Sequence, residues 1–150
     1  SSSIDLNNIT IDDLELPLEN IKVSHNPKTR ILWSGPNIWL VLSKKKEIIK
    51  IINKKCDDKN FAITDITHSR AIIEIKGKKS KEILKKGCPF DFNEFKINNS
   101  TSSIFHGITF TIDCIEDNPE TFHLITLRSF GESLYHHITD SSLEFGYVGV

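Results

Sequence analysis

Ile108-Thr109-Phe110-Thr111-Ile112-Asp113-Cys114-Ile115 alternates apolar and polar residues with a period of two. Successive side chains of a β-strand point to opposite faces of its sheet. Ile108, Phe110, Ile112 and Cys114 therefore share one face, and Thr109, Thr111 and Asp113 share the other. A strand apolar on one side only belongs to an antiparallel sheet that is covered on that side. Just upstream, His106-Gly107 is short enough to close a hairpin with Ser102 to Phe105. Downstream, Asp117-Asn118-Pro119 turns the chain into a further strand from Thr121 to Leu127. Ser129-Phe130-Gly131-Glu132 has the spacing of a capping box. The helix it opens is expected to present Phe130, Leu134, Tyr135 and Ile138 inward.

The same reading extends towards the N-terminus. Ile31 to Trp33 and Ile38 to Leu42 are predicted strands around Ser34-Gly35-Pro36-Asn37. Ser43 is placed to cap a helix from Lys44 to Lys55, whose Ile48, Ile49, Ile51 and Ile52 form one apolar stripe opposite lysines. Phe61 to Ile66 and Ala71 to Lys76 are predicted strands, and Ala71, Ile73 and Ile75 share the face opposite Glu74 and Lys76. A short helix follows from Lys79 to Lys86, ended by Gly87, and Cys88 to Ser100 is expected to be a loop. The order ββα-ββα-βββα predicts an α+β fold, with helices packed on one face of largely antiparallel sheets. Residues 30–150 are expected to form this single domain. Residues 1–29 carry apolar residues without a steady period, and an extended or partly disordered segment is expected there.

Composition narrows the function. The chain has 150 residues, of which 38% are hydrophobic. No apolar run approaches the roughly 18 residues that span a bilayer, and no signal-peptide pattern opens the sequence. A soluble cytoplasmic protein is expected. Cys56, Cys88 and Cys114 are odd in number and widely spaced, unlike a disulfide framework or a zinc knuckle. The net charge of −1 conceals a polarised chain. Residues 44–86 hold fourteen Lys or Arg against six Asp or Glu, and the remainder holds five against fourteen. Such a field suits steering of a protein partner. The basic segment has almost no aromatic residues on which bases could stack, which argues against nucleic acid.

Chemistry-bearing patterns are missing. None of the seven glycines falls in a G-x-G-x-x-G or a G-x-x-x-x-G-K-S/T loop, so no nucleotide-binding turn is legible. His136 and His137 are adjacent, about 100° apart on a helix, and cannot chelate as an i, i+4 pair could. Asp65-Ile66-Thr67-His68-Ser69-Arg70 gathers an acid, a base and a hydroxyl. Triad members, however, usually converge from distant segments, and this run reads better as a hydrogen-bonded turn between strands. Cys88 follows Lys85 and Lys86, which would favour its thiolate; an inert thiol in a turn is the competing reading.

Five ordered segments resemble the sarcosine oxidase gamma subunit family. Leu32-Trp33-Ser34-Gly35-Pro36-Asn37-Ile38-Trp39-Leu40 is similar to its L-W-x-G-P-D-E-W-L segment, and residues 65–70 are similar to its D-x-S-H-x-R turn. Gly77, Ile83-Leu84 and Lys86 through Phe92 resemble the G-x-x-A-x-x-x-L-x-x-G-C-x-x-D-L run. Arg128-Ser129-Phe130-Gly131-Glu132-Ser133-Leu134 resembles R-S-F-A-x-S-L, and Glu144-Phe145-Gly146 the closing E-F-G. Departures at Asn37, Ile38, Thr67, Ser80 and Gly131 mostly conserve size.

The resemblance implies a fold like the folate-binding domain of glycine-cleavage aminomethyltransferases. It implies a non-catalytic gamma chain beside alpha, beta and delta chains, in a complex that oxidises sarcosine to glycine and passes the one-carbon unit to tetrahydrofolate. FAD, FMN, NAD and tetrahydrofolate are then expected in other subunits and no cofactor, metal or catalytic residue in this chain. The isolated chain is expected to self-associate. Trp33, Trp39, Asp65, His68, Arg70 and Arg128 are the candidates for partner contact or turn fixing. The alternative is a stand-alone tetrahydrofolate-binding aminomethyltransferase-like protein or an iron–sulfur maintenance protein. Lys86-Gly87-Cys88 resembles the start of the latter's K-G-C-Y/F-x-G-Q motif, but Pro89-Phe90-Asp91-Phe92 departs from the rest.

Overall fold

The computed structural model describes residues 5–149, and the chain divides into two compact units between Asp65 and Ile66. In the first unit, Thr10–Ile11 (β1) and Leu14–Glu15 (β2) form a tight hairpin. Its turn residues Asp12 and Asp13 have φ of 51° and 63°, the left-handed pair that a two-residue hairpin needs and that Asp tolerates. Ile21–His25 (β3), Thr29–Gly35 (β4) and Ile38–Ser43 (β5) follow as an antiparallel meander, in which Val23 pairs with Leu32 and Trp33 with Trp39. The helix Ile48–Lys55 (α1) lays its isoleucine stripe on this sheet. Ile11, Leu16, Ile31, Ile52 and Cys56 are the buried centre, with Trp39, Val41 and Phe61 packed around it.

The second unit contains Arg70–Lys76 (β6), Ser80–Lys85 (α2), Asn99–Phe105 (β7), Ile108–Asp117 (β8), Glu120–Leu127 (β9) and Gly131–Ser142 (α3). Its four strands are antiparallel in the order β7-β8-β9-β6. The alternation of β8 is realised: Phe110, Ile112 and Cys114 join Ile75, Phe122 and Leu124 in one core. Ile83 and Leu84 of α2 and Leu134 and Ile138 of α3 cover that face. The class is thus α+β with antiparallel sheets, and the helices of this unit lie on one face.

Several expectations are corrected. Residues 5–29 are not simply extended. They build β1, β2 and β3 and place Ile11 and Leu16 in a core with Ile31, so the boundary lies after Asp65 and not near residue 29. Phe61 to Ile66 forms no strand. A strand requires a neighbour for its N–H and C=O groups, and the Phe61 N–H instead donates back to Asp57 C=O at 3.0 Å, closing a turn. The first helix begins at Ile48, later than its N-cap pattern suggested. Lys44 N–H continues the sheet by donating to Lys28 C=O at 2.8 Å, and Ser43 Oγ is taken up by Lys45 N–H and Thr29 Oγ1.

The capping box does not form. Arg128–Phe130 makes a 3-10 turn, which places Ser129 inside that turn, and Phe130 is the N-cap of α3 without a side-chain bond. Phe130 and Tyr135 are consequently exposed, at 44% and 39%, while Leu134 and Ile138 are buried as expected. The loop from Cys88 is a core element. Phe92, which opens its Phe92–Glu94 3-10 turn, and Phe95, which follows it, are 1% and 2% exposed and pack against Phe122 with ring centroids 6.1 and 6.3 Å away. Each such burial contributes about 1.5–3 kcal/mol.

Gly87 follows the end of α2 as expected, but close packing and not a left-handed turn is what calls for glycine there. Its φ lies outside the left-handed range, but a Cβ there would sit 2.6 Å from the Phe105 ring.

Candidate functional site

Pairing of β6 with β9 begins at Arg70 opposite Leu127, so the residues before Arg70 and after Leu127 leave the sheet side by side. Thr67–Ser69 and Arg128–Phe130 are both 3-10 turns. Arg128 Nη1 donates to the His68 carbonyl at 3.3 Å and ties them together. Ser69 Oγ donates to Ile66 C=O at 2.9 Å and accepts from Arg70 Nη1 at 3.1 Å. His68, Arg70 and Arg128 are thereby brought into one corner. The Ser69 hydroxyl is held by Ile66 and Arg70, so the cluster that looked like hydrolytic chemistry is a tied pair of turns.

Trp33 and Trp39 face each other across β4 and β5 in the first unit. Trp39 Nε1 donates to the Pro17 carbonyl at 2.6 Å, and its ring packs on the core around Ile31. Trp39 is therefore an internal fastener for the segment between β2 and β3. Asp65 is exposed at the end of the same unit.

The thiols are set for packing. Burial pushes the Cys88 thiol up to about 11, against the lowering that its lysine neighbours suggested. Burial, helped by nearby Asp117, pushes Cys114 up to about 12. Burial also raises Cys56, with Asp57 adding to the effect. A buried thiol disfavours the thiolate because the charge loses its hydration. His136 and His137 diverge as their adjacency requires. His136 Nε2 lies 3.7 Å from Glu132 Oε1, whereas the His137 ring stacks on His106 with centroids 4.5 Å apart. Among the described residues no group of three or more His, Cys, Asp or Glu could hold a metal ion. No helix among them is long and apolar enough to cross a membrane.

The closing motif has a structural role. Lys86 Nζ donates to Ser141 C=O at 2.7 Å and Glu144 Oε2 at 3.1 Å, and it lies 5.0 Å from the centroid of Phe145. Gly146 then turns the chain with φ of 74°. Lys86, Glu144, Phe145 and Gly146 so join the ends of α2 and α3. Lys86 was not among the candidates, because its contacts to Ser141 and Glu144 are 55 and 58 residues away in sequence.

The family model for sarcosine oxidase, gamma subunit, matches residues 8–144, which takes in most of both units. The chain belongs to the sarcosine oxidase gamma subunit family. One relative within this gamma-subunit family is sarcosine oxidase subunit gamma of Corynebacterium sp. (strain P-1), 22% identical over 120 residues. The match covers 78% of this chain and 58% of that relative, so the chain spans less than two thirds of its length. A chain in the solved structure of heterotetrameric sarcosine oxidase from Corynebacterium sp. U-96, in complex with pyrrole 2-carboxylate, superposes with a TM-score of 0.83 at 20% identity. That superposition covers 91% of this chain and 71% of the other. The two chains thus share a fold although about four of every five aligned residues differ.

Proposed function

We propose that this chain is the gamma, structural subunit of a heterotetrameric sarcosine oxidase. In this reading it holds alpha, beta and delta chains that carry FAD, FMN, NAD and tetrahydrofolate. The complex demethylates sarcosine oxidatively to glycine, with one-carbon transfer to tetrahydrofolate, in the cytoplasm. The observation that carries the reading is the family match over residues 8–144, which holds four of the five motif segments whole, from Leu32 to Leu134, and reaches the start of the fifth at Glu144.

The tied turns support it. A subunit whose work is to present a shaped surface needs loops fixed in one geometry, and Arg128, Arg70 and Ser69 fix theirs by hydrogen bonds. Trp33, Asp65, His68 and Arg70 are the contact residues in this proposal; Arg128 and Trp39 fix a turn and a segment.

Affinity-tagged chain, expressed in its own cells and isolated gently, is expected to bring down yellow, flavin-containing chains with sarcosine-oxidising activity. Recovery of the chain alone under those conditions would sink the proposal, as would amine oxidation by the purified chain without companions.

A further inference from the structure

Ile72, Ile73, Glu74, Ile75 and Lys76 follow one another in β6, and all five line one cavity of about 550 Å³. Neighbouring residues of a strand face opposite sides of the sheet. A cavity lined by five in succession therefore runs along the edge of the strand and not over either face. β6 presents such an edge, since it pairs with β9 on one side and with no described strand on the other. The opposite wall is α3, through Tyr135 and Ile138, and the chain that leaves it at Phe145–Gly149. That segment runs close to α3, where a Cβ on Gly149 would meet the Tyr135 hydroxyl at 2.5 Å.

An open edge carries unpaired N–H and C=O groups at alternate residues, and proteins blunt it with a bulge, a proline, charged side chains, or a covering helix or loop. β6 has neither bulge nor proline, and between Arg70 at its start and Lys76 at its end its one charge is Glu74. Its register with β9 runs without a shift from Arg70↔Leu127 to Lys76↔Thr121. Glu74, the one carboxylate at the groove, is held by His123 Nε2 at 2.8 Å. The five lining residues span about 17 Å at about 3.3 Å each. An extended polypeptide can pair with this edge at the ~4.8 Å spacing of neighbouring strands, whereas a helix has already bonded its own N–H and C=O groups along its length. Lys76, Lys78 and Lys79 line one end, which selects for negative charge there.

We propose that the groove receives an extended segment of a partner chain, which adds a strand to β6. Its carboxylate side chains lie beside Lys76, Lys78 and Lys79, and its small apolar side chains lie over Ile73 and Ile138. Main-chain pairing supplies attachment in this mode, and the flanking side chains supply choice. The inference rests on the subunit reading for the source of the segment, although the pairing chemistry can be tested without it.

The first arm uses the full-length chain and two capped hexapeptides at millimolar concentration, one alternating valine with aspartate and one alternating valine with lysine. Amide hydrogen exchange in residues 70–76 is expected to slow at least tenfold with the acidic peptide and to stay unchanged with the basic one. Lys78→Glu with Lys79→Glu is expected to cancel the protection while leaving the thermal midpoint unchanged. Equal protection by both peptides, or none by either, overturns the inference, as does protection of β6 by self-association of the chain alone. The second arm measures exchange at β6 in the copurified complex. Flavin-containing chains bound with β6 still exchanging freely would overturn this inference and leave the subunit reading intact. Peptide protection without copurifying chains would overturn the subunit reading and leave the edge assigned to another acidic partner.

Discussion

Asp12 Oδ2 accepts a hydrogen bond from Thr29 Oγ1 at 2.7 Å, joining the β1–β2 turn to the first residue of β4. The same carboxylate oxygen accepts from Asn26 Nδ2 at 3.1 Å, and the other pairs with Lys45 Nζ. The Asp12 side chain is only 7% exposed, and each partner is a donor, so the ionised form is the one that fits.

Acid should therefore loosen the first unit through Asp12. The hydrogen bond from Lys45, followed by those from Thr29 and Asn26, holds its carboxyl down at about 2, against about 3.9 in an unfolded chain. A depressed folded value means stability that is fully present above about pH 5 and lost as pH falls towards about 2. Asp12→Asn is expected to flatten the change in thermal midpoint over that interval. Carbon NMR of the Asp12 carboxyl would check the titration directly, and a midpoint near 4 would refute the assignment.

Trp39→Phe keeps most of the ring but removes the donor to Pro17 C=O. The expected loss is about 1–2 kcal/mol, with amide exchange quickened selectively between β2 and β3. A loss spread evenly over both units would show that the bond at 2.6 Å does not fasten this segment.

Gly87→Ala drives a methyl into the Phe105 ring, which is itself fully buried. Overpacking of this kind costs about 1–3 kcal/mol. A double-mutant cycle with Phe105→Leu should show coupling that relieves part of that cost. Additive effects would place the strain elsewhere.

Cys88 and Cys114 should resist alkylation in the folded protein, because burial holds their thiols up at about 11 and about 12. At pH 8 less than about one thiol in a thousand is then ionised at either site. Iodoacetamide labelling followed by mass spectrometry is expected to modify both only when denaturant is present.

Arg128→Ala separates turn fixing from partner contact. One exposed hydrogen bond to His68 C=O is worth no more than about 1 kcal/mol of stability. If the corner presents His68 and Arg70 to another subunit, loss of copurifying chains should exceed that small change in folding. Normal assembly at near-normal stability would restrict Arg128 to the turn.

The strands around Ile108–Ile115 and Ala71–Lys76 were legible because each alternates over its length and is bounded by a turn signal. Gly87 was legible as a stop, but the need for glycine there was not, because it comes from the approach of Phe105 from β7. Phe92 and Phe95 looked like loop residues because they have no helical or strand period; their burial comes from Phe122 across the sheet. The turn at 65–70 was visible as a turn, yet its tether from Arg128 spans 60 residues. The β6 groove left no mark in the sequence, since a strand reads the same whether one or both of its edges are paired.

What the sequence by itself determined is local and repetitive: the apolar faces, the turn residues, the lack of a nucleotide-binding loop, and the five spaced motifs that placed the chain in its family. Only the tertiary structure decided where the chain divides, that residues 5–29 belong to the first core, that the thiols are suppressed, and which strand edge stays open. The reason is physical. Periodicity fixes the side to which a residue points, whereas burial, ionisation and edge pairing depend on which distant segment arrives on that side.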